Sequence, residues 1–169
     1  MRTAVLALLL VGAAIAVSGQ SADSKLQAQL KQIFPSATGF SPKEGQPPHF
    51  KAYAGGQTIA GYAFWTTELE PLERGYDGPI KMLVGMDTKG ILTGVLVTEH
   101  HEPYGNFSVE PPRFAAQFKG KDIRDPFTVG SDVDAVSSAT ITIKSASKAI
   151  RNSARRVAKA LLTPPGPAK

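Results

Sequence analysis

Five hydroxyl side chains fall in a short stretch of this 169-residue chain: Ser137, Ser138, Thr140, Thr142 and Ser145. They sit where Asp134-Ala135-Val136-Ser137-Ser138-Ala139-Thr140 runs into a stretch, Ser138 to Leu162, without glycine or proline. The first N–H groups of a helix have no intrahelical acceptor, and the helix dipole adds about half a positive charge at that end. Small residues such as Ala139 let an anion approach the backbone, and the hydroxyls add donors. The chemistry available is phosphate binding. The structural alternative is an ordinary N-cap, with Ser137 or Ser138 starting a helix that has no other duty.

A second polar cluster is His100-His101-Glu102. Neighbours in an extended chain point to opposite faces, so the two histidines do not chelate one ion together. No further ligands accompany them, and no metal site is expected. The remaining readings are a surface turn or the lining of a pocket. With no cysteine in the chain, disulfide scaffolds, thiolate metal sites, c-type haem attachment and cysteine nucleophiles are excluded.

The elements that must position these residues follow from pattern. Leu26, Leu30 and Ile33 recur at helical spacing within Ser24–Phe34, and Pro35 ends that helix. Gly39 to Pro48 reads as loop. Phe50–Tyr53 and Thr58–Thr67 flank the turn Ala54-Gly55-Gly56-Gln57, and Ile80–Asp87 and Ile91–Glu99 flank Thr88-Lys89-Gly90, which gives two hairpins. Residues 100–112 read as a long loop, 112–118 as a turn or two of helix, and 122–128 and 133–136 as short extended pieces. Ile143, Ala146, Ile150, Ala154, Val157 and Leu161 form one stripe of a final amphipathic helix, and Lys144, Lys148, Arg151, Arg155 and Lys159 form another. The expected fold is α+β, an antiparallel sheet built from hairpins and packed against the long C-terminal helix.

The N-terminus is expected to be an address. Arg2 precedes an apolar or Gly run from Ala4 to Val17, and Ala16-Val17-Ser18 offers small residues for cleavage after Ser18 or Gly19. Residues 1–18 therefore read as a secretory signal, too short for the roughly 20 residues of a spanning helix. The alternative is an uncleaved membrane anchor. Residues 19–74 carry the first helix and hairpin, residues 75–162 the main unit, in one compact body with 30–74, and 163–169 a disordered tail. The formal charge is +5, but residues 144–169 hold seven basic side chains and no acid, so the basicity belongs to one helix rather than to the body. An exported chain meets little nucleic acid, and no nucleic-acid partner is expected.

The motif Asp134-x-x-Ser137-x-Ala139-Thr140 resembles the flavinylation motif Asp-x-x-[Ser/Thr]-Gly-Ala-[Ser/Thr] of FMN-binding domains. Such domains occur in the C component of the sodium-pumping NADH:quinone reductase, in the G component of the Rnf complex and in proteins of the NosR/NirI type. Phe34-Pro35, Phe40 to Gly45, Gly75 to Ile80, Leu83 to Asp87 and Glu99 to Pro103 resemble the NosR-type branch in particular, so the likeness covers roughly residues 30–160. The resemblance implies FMN as cofactor, esterified through its phosphate to the Thr140 hydroxyl by a separate flavin transferase. It implies that Asp134, Ser137, Ser138, Ala139 and Thr142 surround the attachment point and that Glu102 lies near the ring, with Tyr76, Trp65 and Tyr104 available to flank it. Trp65 and Tyr62, both in a strand, have core packing as the alternative. Ser138 stands where the family has Gly. The implied function is exported electron transfer with membrane or periplasmic redox proteins as partners. The alternative is a flavin-dependent or redox-responsive regulatory or accessory module without turnover.

Overall fold

The computed structural model describes residues 16–162. The apolar run before Ala16 and the tail after Leu162, and with them most of the expected signal segment, lie outside the described residues. Five antiparallel strands stand in sequence order: β1 (Gly39–Phe40), β2 (Phe50–Gly55), β3 (Thr58–Trp65), β4 (Lys81–Asp87) and β5 (Leu92–Glu99). Among the described residues four α-helices accompany them, α1 (Ala16–Ile33), α2 (Gly105–Ser108), α3 (Pro112–Ala116) and α4 (Thr140–Leu161), with a 3-10 turn at Thr66–Glu68.

Strand alternation sorts the core into two layers. From β4, Met82, Val84 and Met86 join Ile143, Ala146, Ile150, Ala154 and Val157 of α4 and Phe114 of α3 in the larger cluster. Leu83 turns the other way, to Leu30 and Ile33 of α1 and Phe50 and Ala63. The sheet is thus a middle layer between α1 and α2–α4, the expected α+β arrangement. Each large side chain fully removed from water contributes about 2 kcal/mol to this packing. On the α1 side the helix end lies almost on the sheet backbone. A Cβ on Gly94 would stand 2.6 Å from the Ile33 carbonyl oxygen. That carbonyl accepts a 2.8 Å hydrogen bond from the Thr93 hydroxyl, which caps α1.

Several elements differ from the pattern-based expectation. The first helix already includes Ala16, the first described residue, well before Ser24. The short strand β1 lies inside the expected loop because Gly39 and Phe40 pair with Tyr53 and Ala52. Helix α2 lies inside the expected 100–112 loop. Residues 122–128 and 133–136 form no strand, only the isolated bridges Ile91–Asp122 and Val129–Val133.

The basic stripe of α4 is also not simply a solvated face. Arg151 donates to the Pro126 carbonyl, and Arg155 to those of Ile123, Arg124 and Asp125. Arg156 donates to the Leu69 and Pro71 carbonyls, and Asn152 to Glu73. These side chains tie the 122–126 and 69–73 loops to one helix. Among the described residues no helix is long and apolar enough to cross a membrane.

Candidate cofactor site

Helix α4 starts without a side-chain cap. The residue before its first turn, Ala139, has φ −124° and no side chain bonds back to the helix end. The first N–H that closes a helical turn is Ile143, to the Ala139 carbonyl at 3.0 Å. The N–H groups of Thr140, Ile141 and Thr142 therefore have no acceptor within the helix. The N-cap alternative for Ser137 or Ser138 is not what the chain does. Ser138 instead turns the chain, with φ +66°, before the Ala139 N–H bonds the Val136 carbonyl at 3.1 Å. Left-handed backbone costs a non-glycine residue about 1 kcal/mol. This is the position where the resembled motif carries glycine.

In front of this helix start lies a cavity of about 470 Å³ lined by Tyr76, Pro103, Tyr104 and residues 138–142. Thr140 is exposed in it, while Thr142, two residues on, is buried. The Thr142 hydroxyl donates to the Glu102 carboxylate. The same carboxylate accepts the backbone N–H groups of Tyr76 and Asp77, each at 3.0 Å. A Cβ on Gly75 would lie 2.3 Å from Glu102 Oε1, so glycine is needed for the loop to come this close.

One buried side chain thus joins three walls of the cavity: the loop carrying Tyr76, the helix start, and its own neighbours Pro103 and Tyr104. Burial works to raise the Glu102 pKa, but the bonds from Thr142, Asp77 and Tyr76, with His100 nearby, outweigh it. The group is held below the ordinary carboxylate range and is ionised.

The remaining residues singled out by sequence fall around this centre. Asp134 and Ser137 line a separate cavity of about 400 Å³ with Ser108, Arg113, Phe114 and Gln117. The Asp134 N–H is held there by the Gln117 side chain at 2.7 Å. His100 bonds Glu110 at 3.1 Å and accepts the Glu102 N–H at 3.2 Å, and His101 is exposed. Trp65 is not at the cavity. It faces a larger open groove of about 700 Å³ with Leu26 and Phe40, and Lys81 lies over its ring. Tyr62 is buried edge-on to His49. Sequence reasoning did not single out Pro103 or Ile141 as cavity walls, though both adjoin residues that it did.

The sequence profile of the FMN-binding domain family matches residues 75–155. Those bounds take in Gly75, Tyr76, Glu102, Tyr104, Thr140 and Thr142. Residues 75–155 are an FMN-binding domain. Regulatory protein NosR of Pseudomonas aeruginosa is 30% identical over 164 residues, covering 91% of this chain and 22% of that protein. NosR of Stutzerimonas stutzeri is 28% identical over 142 residues, 78% of this chain and 19% of that one. The G component of the ion-translocating oxidoreductase complex of Erwinia tasmaniensis is 34% identical over 102 residues, 54% of this chain and 47% of that component. The chain therefore spans about a fifth of the NosR proteins and about half of the oxidoreductase component.

The cavity of the FMN-binding domain suits its cofactor on physical grounds. Its volume lies in the usual range for small-molecule sites of about 300–1,000 Å³. Two phenol rings and apolar side chains offer flat surfaces to an aromatic ring. An uncapped helix start with an exposed hydroxyl offers donors to a phosphate.

Proposed function

We propose that this chain is an exported electron-transfer protein whose FMN is attached through its phosphate to the Thr140 hydroxyl by a separate flavin transferase. The observation that carries the reading is the helix start: three N–H groups without a cap, and an exposed threonine beside a buried one, inside a cavity walled by aromatic rings. The N–H groups of Thr140, Ile141 and Thr142 hold the phosphate, and Ser138 and Ala139 keep side-chain bulk away from it. Tyr76, Tyr104 and Pro103 orient and partly desolvate the ring. Asp134 and Ser137 shape the motif and face the enzyme that attaches the flavin. Glu102 acts one step back, holding Tyr76 and Thr142 in place and setting a negative charge behind the ring.

When bound, FMN supplies one- and two-electron transfer, and the protein supplies binding, orientation and electrostatic tuning. A covalent tether keeps an exported site loaded where free FMN is dilute. The electron partners are membrane or periplasmic redox proteins. The NosR relatives are named as regulatory proteins, which favours a second reading, a redox-responsive regulatory module without turnover.

Co-expression with a flavin transferase, followed by intact mass and an absorption spectrum of the periplasmic fraction, tests the main reading. A mass raised by one FMN moiety, lacking residues 1–18, with a flavin spectrum that cycles on reduction and re-oxidation is expected. An unmodified, colourless protein under those conditions would overturn it. A yellow protein that never re-oxidises with any redox protein favours the regulatory module.

A further inference from the structure

Four of the five large apolar residues exposed among the described residues gather at one place. Tyr76 (71% exposed), Tyr104 (48%) and Ile141 (58%) line the Thr140 cavity, and Phe107 (36%) packs on Tyr104 at 5.4 Å; only Ile59 (37%) lies elsewhere. A ligand inside the cavity covers its inner walls, but Phe107 and the outer faces stand at the rim. Exposed apolar surface gathered around a cavity mouth marks a docking site more than scattered residues do.

Charge says what docks there. Ile141, Lys144 and Lys148 follow at helical spacing and are all exposed on α4. Among the described residues neither lysine has an ion pair or hydrogen bond, whereas Arg151, Arg155 and Arg156 of the same helix bond loop carbonyls. Asp77, exposed next to Tyr76 in the sequence, is the carboxylate of that loop. The rim on the α4 side is therefore an apolar patch bordered by two uncommitted cations.

We infer that this rim, Tyr104, Phe107 and Ile141 with Lys144 and Lys148, docks a redox protein whose cofactor edge is apolar and ringed by acidic residues. The inference rests on the FMN reading for the electrons, not for the docking. Protein interfaces combine an apolar centre with a polar rim, and opposite charge raises both encounter rate and specificity. The other end of α4 is a built-in control. Lys159 lies roughly 22 Å along the axis from Lys144, at 1.5 Å per residue. There it lines a different cleft of about 660 Å³ with Lys89, Arg124 and Arg155.

The test uses an acidic c-type ferricytochrome and a basic one as probes. Binding is measured first, on flavin-free protein at low ionic strength, so that its outcome does not depend on the cofactor. The acidic probe is expected to bind more tightly than the basic one. Lys144→Glu/Lys148→Glu should weaken it about tenfold and Ile141→Ser about threefold, while Lys89→Glu/Lys159→Glu changes it less than twofold. Electron transfer is measured second, on flavin-loaded protein reduced with dithionite and freed of excess reductant. Each ferric haem takes one electron, two haems are reduced per flavin re-oxidised, and two protons are released to water.

The near-end pair should slow that reaction in proportion to its loss of binding. Preference for the basic probe, or equal effects of the two lysine pairs, or no effect of either, would overturn the docking face. Charge-selective binding without haem reduction would leave the docking face standing and count against the electron-transfer reading instead.

Discussion

The two ends of α4 are built from similar residues and behave differently. From Arg151 onward, three arginines and an asparagine find partners inside the protein and hold two loops through their carbonyls and Glu73, with Lys159 alone of the described basic side chains there left to solvent. At the start of the helix the backbone donors have no cap, Thr140 is exposed, and Lys144 and Lys148 stand free among the described residues. A polar group satisfied by its own chain serves the fold. One left unsatisfied at a cavity mouth is available to something from outside. At the near end Thr142 is turned inward to Glu102, and Ser147 to the Ile143 carbonyl, and both belong to the frame rather than to the opening.

The sharpest way to break this contrast is Glu102→Ala. It strands two backbone N–H groups and the Thr142 hydroxyl, so we expect a loss of about 3 kcal/mol in chemical denaturation. Flavin binding should fall with it, as the three cavity walls part. Glu102→Gln offers a milder form of the same test and reads the charge. The folded-state pKa of Glu102 is depressed, so its contribution is fully present above the ordinary carboxylate value and is lost as pH falls through the lowered one. The drop in melting temperature between about pH 6 and about pH 3 should be shallower in Glu102→Gln than in the wild type.

At the far end, Arg156→Ala removes a half-buried cation from the Leu69 and Pro71 carbonyls. We expect about 1 kcal/mol of lost stability with an unchanged flavin spectrum. A shift of the flavin spectrum in Arg156→Ala would erase the distinction between the two ends. The smallest effect expected is a gain: Ser138→Gly relieves left-handed backbone and should raise stability by about 0.5–1 kcal/mol, read as a higher melting temperature. No gain would mean that the Ser138 side chain makes compensating contacts.

Much of this was legible in the residues. The period of Ile143, Ala146, Ile150, Ala154 and Val157 predicts α4, and the alternation and turn chemistry predict both hairpins, because those signals are local. The motif from Asp134 to Thr140 is local too, and its likeness to FMN-binding domains named the cofactor. What was hidden depends on distant partners. Nothing within Gly105–Ser108 announces α2, and Gly39–Phe40 becomes a strand only because β2 lies beside it. The partners of Glu102 are some 25 and 40 residues away, so sequence offered a carboxylate near a ring where the fold shows a tie between three walls. The arginines of α4 likewise look like a solvated stripe until the loops that they hold are in place. Trp65, open in sequence to either flavin contact or core packing, faces another groove and packs against the smaller core cluster.

Which threonine carries the flavin is the most direct question to put to the molecule. Thr140 is exposed and Thr142 is buried against Glu102, although both border the same cavity. The measurement is flavin fluorescence on a denaturing gel, after periplasmic co-expression with a flavin transferase, for the wild type, Thr140→Ala and Thr142→Ala. We predict a fluorescent band in the wild type and in Thr142→Ala, the latter less stable by about 1 kcal/mol, and none in Thr140→Ala. Fluorescence retained in Thr140→Ala, or lost only in Thr142→Ala, would contradict attachment at Thr140.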